Sequence, residues 1–77
     1  MTKNIEIYSL PTWPYCIKTK DYFNSLGVHY VDHNVADEVG AKQEMIDKTG
    51  QMKVPATLID GELVLGFDKE KFDELLR

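Results

Sequence analysis

The sequence predicts an α/β domain in which two parallel strands and a closing hairpin form one four-stranded mixed sheet, with helices on both faces. Three observations predict it. An alternating segment over residues 5–9 is followed by a helical repeat and by a strand rich in valine and tyrosine, and strands connected in this way form a right-handed parallel crossover. Asp60-Gly61 lies between two apolar runs, which is a strong hairpin signal. A terminal helix completes a β-α-β-α-β-β-α order, which we expect to form one domain over residues 1–77.

The first helix is predicted to begin at Pro14, because the missing N–H of proline costs nothing in the first turn of a helix. Four side chains then recur at helical spacing: Ile17, Lys20, Phe23 and Leu26. Gly27 favours a helix end there. The next strand is predicted over residues 28–35, which are rich in valine and tyrosine.

The second half of the chain contains a helix, a hairpin and a final helix. The helix is predicted over residues 37–49, with Met45 and Ile46 on its inner face. The hairpin strands are predicted over residues 56–59 and 62–65.

The final helix is predicted to begin at Asp68, a residue type that caps helix N-termini well. Phe67 and Phe72 are spaced as a hydrophobic staple around that cap. Phe72, Leu75 and Leu76 are then expected to face the core.

The composition excludes several classes of function. Of the 77 residues, 43% are hydrophobic and 29% are charged, as in ordinary globular domains. The net charge of −4 argues against a nucleic acid or an anionic membrane as partner, because both attract basic surfaces. No apolar run is long enough to span a membrane, and residues 1–4 show no signal segment. One cysteine excludes an intrachain disulfide, and together with the start of the chain it fits a cytoplasmic, reducing compartment. We also expect a monomer.

The segment Trp13-Pro14-Tyr15-Cys16 places a thiol in the first turn of the predicted first helix. Free backbone N–H groups and the positive end of the helix dipole stabilise a thiolate at a helix N-terminus. Two thiols that are two residues apart in such a turn can close a disulfide, one attacking and the other resolving. Cys16 occupies the second position of such a pair, and Trp13 occupies the first. The alternative is that Cys16 is only a small buried hydrophobic residue.

Two later segments are candidate ligand sites. Val54-Pro55 precedes the third strand, where the simplest interpretation is a strand-start proline. Gly66 lets a ligand backbone approach closely, and the free N–H groups at the start of the last helix suit a carboxylate. Asp68 could accept a ligand ammonium, or it could act only as a helix cap.

These segments, in this order and spacing, resemble those of the glutaredoxins, and the resemblance extends from Ile5 to Leu76. The matching stretches are Tyr8-Ser9, Pro11-Thr12, Pro14-Tyr15-Cys16, Thr49-Gly50, Val54-Pro55, Asp60-Gly61 and Gly66-Phe67-Asp68. The resemblance implies a thioredoxin-like fold. It also implies glutathione-dependent thiol–disulfide exchange on disulfide-containing or glutathionylated proteins.

The resemblance further implies where glutathione would bind. The tripeptide would lie along a cis Val54-Pro55 bond by backbone pairing, with its γ-glutamyl end at Phe67 and Asp68. Its sulfur would point at position 13, and Tyr15 would flank it.

Three residues depart from the family pattern. Leu10 stands where members often have a lysine that holds the glycyl carboxylate of glutathione, and Lys53 stands where they often have threonine. Lys53 could supply the missing positive charge, or it could be a solvated lysine. Trp13 takes the place of the nucleophilic cysteine, and an indole cannot attack a disulfide. We therefore expect the chain to lack the first chemical step.

Three origins of Trp13 stay open. The natural residue could be selenocysteine, whose codon UGA differs by one base from the tryptophan codon UGG. The change could have been engineered to disable the enzyme, or the protein could be a naturally inactive relative. Two alternative functions accordingly remain beside the glutathione-dependent enzyme. One is a redoxin reduced by a flavoprotein reductase, and the other is a non-catalytic module that binds glutathione or a protein.

His29 and His33 are four residues apart on the predicted second strand. No third ligand accompanies them at metal-binding spacing, so we predict surface histidines and no metal site.

Overall fold

The computed structural model describes residues 3–37 and 40–77. Its elements are, in chain order, β1 (Ile5–Ser9), α1 (Pro14–Leu26), β2 (Val31–Asn34), α2 (Ala41–Thr49), β3 (Ala56–Ile59), β4 (Glu62–Leu65) and α3 (Lys69–Leu76). The predicted β-α-β-α-β-β-α order is confirmed. Within the two described ranges, no helix is long and apolar enough to cross a membrane. The expectation about a signal segment concerns in part residues 1–2, which lie outside the described residues.

The four strands form one sheet in the order β2-β1-β3-β4. β1 and β2 are parallel, with Ile7 opposite Asp32, whereas β3 pairs antiparallel with both β1 and β4. Asp60 and Gly61 form the hairpin turn with φ angles of 50° and 86°, and positive φ at both positions suits the right-handed twist of the strands. The predicted mixed sheet and hairpin are confirmed.

A helical layer covers each face of the sheet. On one face, α1 and α3 pack over a cluster whose buried members are Ile5, Ile7, Phe23, Ile59, Val64 and Phe72. On the other face, α2 packs over a cluster whose buried members are Tyr8, Met45, Ala56 and Leu58. Successive side chains of a strand point to opposite faces, so neighbouring residues of β1 and of β3 enter different clusters. The prediction of helices on both faces is confirmed.

The second strand is shorter than the predicted residues 28–35, because its first part completes the end of α1. Gly27 adopts a left-handed conformation with φ of 69°, and its N–H and that of Val28 bond to carbonyls of the last helical turn. This is the usual way for a helix C-terminus to satisfy its free carbonyls. β2 therefore begins only at Val31.

The second helix also begins later than predicted. Asp37 lies in a turn, where its N–H donates to the carbonyl of Asn34 at 3.3 Å, and α2 begins at Ala41 after Gly40, whose φ is 84°. Residues 38–39 of the predicted helix lie outside the described residues. Met45 is buried as predicted, and Ile46 is half-buried.

The buried face of α1 differs from the repeat that the sequence suggested. Its buried residues are Cys16, Thr19 and Phe23, whereas Ile17 and Leu26 are exposed. The spacing of the buried residues is three and four, so they form one stripe along the helix. Ile17 and Lys20 of the predicted repeat each lie one residue after a buried residue of this stripe, and only Phe23 belongs to both.

The start of α3 is built as predicted. The Asp68 carboxylate accepts the backbone N–H of Lys71 at 3.2 Å, and the rings of Phe67 and Phe72 meet edge to face with centroids 5.9 Å apart. The cap and the hydrophobic staple are both confirmed. The hydroxyl of Tyr22 on α1 also donates to the carboxylate of Asp73, which links α1 to α3.

Candidate active site

Position 13 lies at the N-cap of α1. The backbone of Trp13 is extended, with φ of −84° and ψ of 129°. Its carbonyl accepts the N–H of Ile17 at 3.0 Å, and its own N–H donates to the carbonyl of Leu10 at 3.2 Å. The indole makes no capping bond and is 51% exposed. A side chain at this position therefore stands in front of the N–H groups that the first turn of a helix leaves free.

Cys16 lies in the same turn but points into the protein. Cys16 is completely buried, and its Sγ accepts a hydrogen bond from the backbone N–H of Leu10 at 3.4 Å. Burial raises the pKa of the thiol, while the Leu10 N–H and the Lys20 cation offset this effect in part. Cys16 is thus a covered thiol with a raised pKa, and it lacks the exposure of a nucleophile.

A groove of about 270 Å³ opens beside position 13. Its lining consists of Leu10, Trp13, Val35, Lys42, Met45, Met52 and Val54. These residues come from the β1–α1 loop, from the segment after β2, from α2 and from the loop before β3. The groove is mainly apolar, and Lys42 brings a positive charge to it.

The predicted cis bond between Val54 and Pro55 is confirmed. Pro55 is buried, and its carbonyl accepts the N–H of Gly66 at 2.9 Å. This bond ties the loop that carries Val54 to the segment that precedes α3. The two candidate ligand segments of the sequence are therefore directly connected.

The segment before α3 leaves its charged residue accessible. Gly66 has a φ of 73°, a conformation that side chains rarely adopt. Phe67 is half-buried, and the Lys18 ammonium lies 4.9 Å from its ring centroid. Asp68 is exposed although it caps the helix, so one of its oxygens stays available to a ligand.

The structure brings some of the predicted site residues together and leaves others apart. Trp13 and Val54 share the groove, and Cys16 lies in the turn behind it. Tyr15 and Lys53 are exposed and do not belong to the groove lining. Gly66, Phe67 and Asp68 join the site through the Pro55 carbonyl.

Sequence reasoning missed two contributors to this site. Lys42 lies in the first turn of α2 and lines the groove, and the backbone N–H of Leu10 bonds to the Cys16 thiol. The sequence did not indicate Lys42, because the predicted helix begins at residue 37 and places Lys42 in its middle. It did not indicate the Leu10 N–H either, because a backbone group does not depend on the residue type.

The prediction for His33 was wrong, whereas His29 is exposed as expected. The side chain of His33 is mostly covered, because its ring stacks on Tyr8 with centroids 4.5 Å apart. Its Nε2 lies 3.2 Å from the carboxylate of Glu6, which also accepts two bonds from Lys48. Within residues 3–37 and 40–77, no three His, Cys, Asp or Glu side chains converge on a metal position.

The mixed sheet, the three helices and the cis proline loop opposite the start of α1 define a protein of the thioredoxin-like fold. Comparison with known proteins narrows this class. A family model for Glutaredoxin matches residues 5–64. An uncharacterized glutaredoxin-like 8.6 kDa protein in the rubredoxin operon of Clostridium pasteurianum is 44% identical over 72 residues, which cover 94% of this chain and 96% of that protein.

Two further proteins agree with this match. Glutaredoxin 3 of Escherichia coli strain K12 is 34% identical over 65 residues, which cover 84% of this chain and 78% of that protein. The crystal structure of a glutaredoxin from Archaeoglobus fulgidus gives a TM-score of 0.86 at 25% identity, covering 97% of this chain and 87% of that one. The chain belongs to the glutaredoxin family. Family and fold together support a thiol–disulfide oxidoreductase role.

Proposed function

We propose that this protein is a glutathione-dependent thiol–disulfide oxidoreductase whose nucleophile position is residue 13. With Trp13 in place, the chain binds glutathione but does not carry out the first chemical step. The observation that carries this proposal is the contrast between positions 13 and 16. Residue 13 is exposed at the helix N-terminus beside the groove, whereas the single thiol is buried behind it.

A thiolate or selenolate at position 13 would be stabilised by the free N–H groups and the dipole of α1. It would attack the glutathione sulfur of a glutathionylated protein, and the protein thiolate would leave. The thiolate of a second glutathione would then attack the mixed disulfide at residue 13, releasing glutathione disulfide and restoring the nucleophile. An indole has no sulfur to enter either step, which is why Trp13 abolishes turnover in this scheme.

The charges of glutathione match groups around the groove. At neutral pH the tripeptide carries two carboxylates and one ammonium. The free N–H groups at the start of α3 and the Asp68 carboxylate suit its γ-glutamyl end. The other carboxylate needs a cation near the groove. Lys42 lines the groove and Lys53 is two residues from Pro55 along the chain, so we assign this role to Lys42 with support from Lys53.

The test is a glutathione-coupled disulfide reduction assay on the unchanged chain and its variants at positions 13 and 16. The unchanged chain and a Trp13→Ser variant are expected to be inert, and Trp13→Cys is expected to turn over. The double variant Trp13→Cys/Cys16→Ser should keep activity on a glutathionylated substrate, because that route needs only one protein thiol. Strong activity of the unchanged chain that disappears in Cys16→Ser would overturn the proposal, because Cys16 would then be the nucleophile. The native codon at position 13 distinguishes a selenocysteine from a tryptophan that is natural or engineered.

A redoxin reduced by a flavoprotein reductase is the second candidate. Leu10 in place of a lysine weakens the case for glutathione, and the Clostridium relative is named as a protein of a rubredoxin operon. The two reductants are compared on the Trp13→Cys variant. If NADPH with a flavoprotein thioredoxin reductase reduces this variant and glutathione does not, the result would favour this candidate.

A non-catalytic binding module is the third candidate, and the exposed indole beside a covered thiol favours it. In that case Trp13→Cys would bind glutathione or a protein partner without turning over under either reductant.

A further inference from the structure

A polar cluster lies behind the active-site turn, on the face of the sheet that α1 covers. The hydroxyl of Ser9, which is buried, donates to one carboxylate oxygen of Asp32 at 3.1 Å. The other oxygen of Asp32 accepts the ammonium of Lys20 at 3.3 Å. Asp32 lies opposite Ile7 in the parallel ladder, so it shares the face of Ile7 and Ser9. Both oxygens of the Asp32 carboxylate are thus held, one by a hydroxyl and one by an ammonium.

Two connections join this cluster to the thiol. Lys20 follows Cys16 by four residues on α1, so the two side chains share one face of the helix. Ser9 immediately precedes Leu10, whose N–H bonds to the Cys16 sulfur at 3.4 Å. The ion pair is therefore linked to the buried thiol both along the helix and through the end of β1.

We propose that the Lys20–Asp32 ion pair controls the ionisation of Cys16, with Lys20 favouring the thiolate and Asp32 opposing it. Both are positioning residues for the resolving step, since neither touches a substrate. That role in resolution rests on the proposed function, whereas the electrostatic effect on the thiol does not.

The charges of this region support the assignment. α1 contributes the Lys20 cation and β2 the Asp32 carboxylate, which are paired at 3.3 Å. The cation favours a nearby thiolate and the carboxylate opposes it. β1 and the following loop contribute the uncharged Ser9 hydroxyl and the Leu10 N–H. A buried thiol ionises with difficulty because a charge in a low-dielectric interior is poorly solvated. A cation one turn away counteracts this cost, and its pairing with Asp32 limits how strongly it does so.

The experiment uses the fact that the chain has one cysteine. Cysteine labelled with ¹³C at Cβ gives one resonance, and its chemical shift is followed against pH in the unchanged chain, in Lys20→Gln and in Asp32→Asn. The titration midpoint is expected to move to higher pH in Lys20→Gln and to lower pH in Asp32→Asn. Iodoacetamide labelling at a fixed mildly alkaline pH should slow in the first variant and accelerate in the second, each by about two- to fivefold, the factor typical of partly exposed ion pairs.

The opposite signs separate electrostatics from loosened packing. A variant that merely opens the site would expose the thiol, so both variants would shift in the same direction. Midpoints that move together, or that stay unchanged in both variants, would overturn the proposal. Lys20→Arg should keep the midpoint of the unchanged chain because it keeps the charge.

Lys18→Gln is the matched control, because Lys18 is also on α1 but lies over the Phe67 ring. It should leave the midpoint unchanged, and a shift as large as that of Lys20→Gln would count against the proposal. These measurements need no glutathione and no residue at position 13 other than tryptophan. Inert Trp13→Cys would therefore disprove the proposed function without affecting this result.

Discussion

The backbone N–H of Leu10 donates to the Sγ of Cys16 at 3.4 Å, so the loop before α1 closes over the thiol. The same loop residue accepts the N–H of Trp13 through its carbonyl at 3.2 Å. Leu10 thus holds both ends of the motif, one by each of its backbone groups. The result is that residue 13 is directed outward and residue 16 inward.

The first prediction is that Cys16 reacts slowly in the folded chain. Because the thiol is buried and burial raises its pKa, labelling by iodoacetamide at neutral pH should be at least roughly tenfold slower than in urea, where opening is complete. The rate is measured by mass spectrometry of the intact protein. Equal rates in the folded and the unfolded chain would contradict the observed burial.

The pKa of this thiol also has a consequence for stability. A folded pKa above the ordinary value of 9.0 means that the contribution of Cys16 to stability is complete below that value and declines as the pH rises above it. Cys16→Ala should therefore lose less stability than the unchanged chain on going to alkaline pH. Urea denaturation at neutral and alkaline pH measures this difference.

Much of the fold could be predicted because several local signals agree with the global arrangement. The Asp60-Gly61 turn, the Asp68 cap and the Phe67–Phe72 staple each depend on residues close in sequence, and all three were found as predicted. The family resemblance supplied the cis Val54-Pro55 bond. The predicted starts of β2 and α2 were wrong. The residues that form the end of α1 and the turn before α2 would also suit a strand and a helix, so the sequence pattern does not mark where each element begins.

The environment of His33 and the groove lining could not be predicted from the sequence. His33 meets Glu6 because β1 and β2 are parallel in one particular register, which no local pattern specifies. Lys42 lies in the first turn of α2, which begins at Ala41, and it lines the groove together with residues of three other segments. Both contacts join residues that are distant in sequence, so they follow from the tertiary arrangement.

The second prediction separates the two roles of Asp68. Asp68→Ala should cost about 1 kcal/mol of unfolding free energy through the lost cap, and should weaken glutathione binding by roughly 1–3 kcal/mol if the carboxylate holds the ligand ammonium. Asp68→Ser is the matched control, because serine also caps a helix but carries no charge. Asp68→Ser should keep most of the unfolding free energy of the unchanged chain, but it should bind glutathione as weakly as Asp68→Ala does.

The measurements are urea denaturation and an NMR titration with glutathione. Shifts are expected at the amides of Val54, Phe67 and Asp68 in the unchanged chain. A titration in which these amides do not respond, also after Trp13→Ser removes the indole, would exclude glutathione from this site.

The third prediction compares Lys42 with Lys53 as the cation for the ligand carboxylate. Lys42→Gln should weaken glutathione binding by roughly two- to tenfold, since charge-assisted contacts are stronger than neutral ones. Lys53→Gln should have a smaller effect, because Lys53 does not line the groove. The single tryptophan of the chain is in the groove, so its fluorescence reports binding directly. A larger loss for Lys53→Gln would assign the carboxylate to Lys53 instead.

The fourth prediction concerns acid stability and Glu6, whose side chain is only 19% exposed. Burial raises the pKa of this carboxyl, but the bonds and charges of Lys48 and His33 outweigh burial and lower it overall. A lowered folded pKa stabilises the protein above the ordinary value of 4.5, and this contribution is lost as the pH falls through the folded pKa. Between about pH 5.5 and about pH 3, the unchanged chain should therefore lose more unfolding free energy than Glu6→Gln, by roughly 0.2–1 kcal/mol.

Glu44→Gln is the control, because Glu44 contacts the same Lys48 at 3.4 Å but has a side chain that is 40% exposed. It should resemble the unchanged chain in acid, and urea midpoints that fall equally with pH in all three proteins would show that the Glu6 carboxylate contributes nothing.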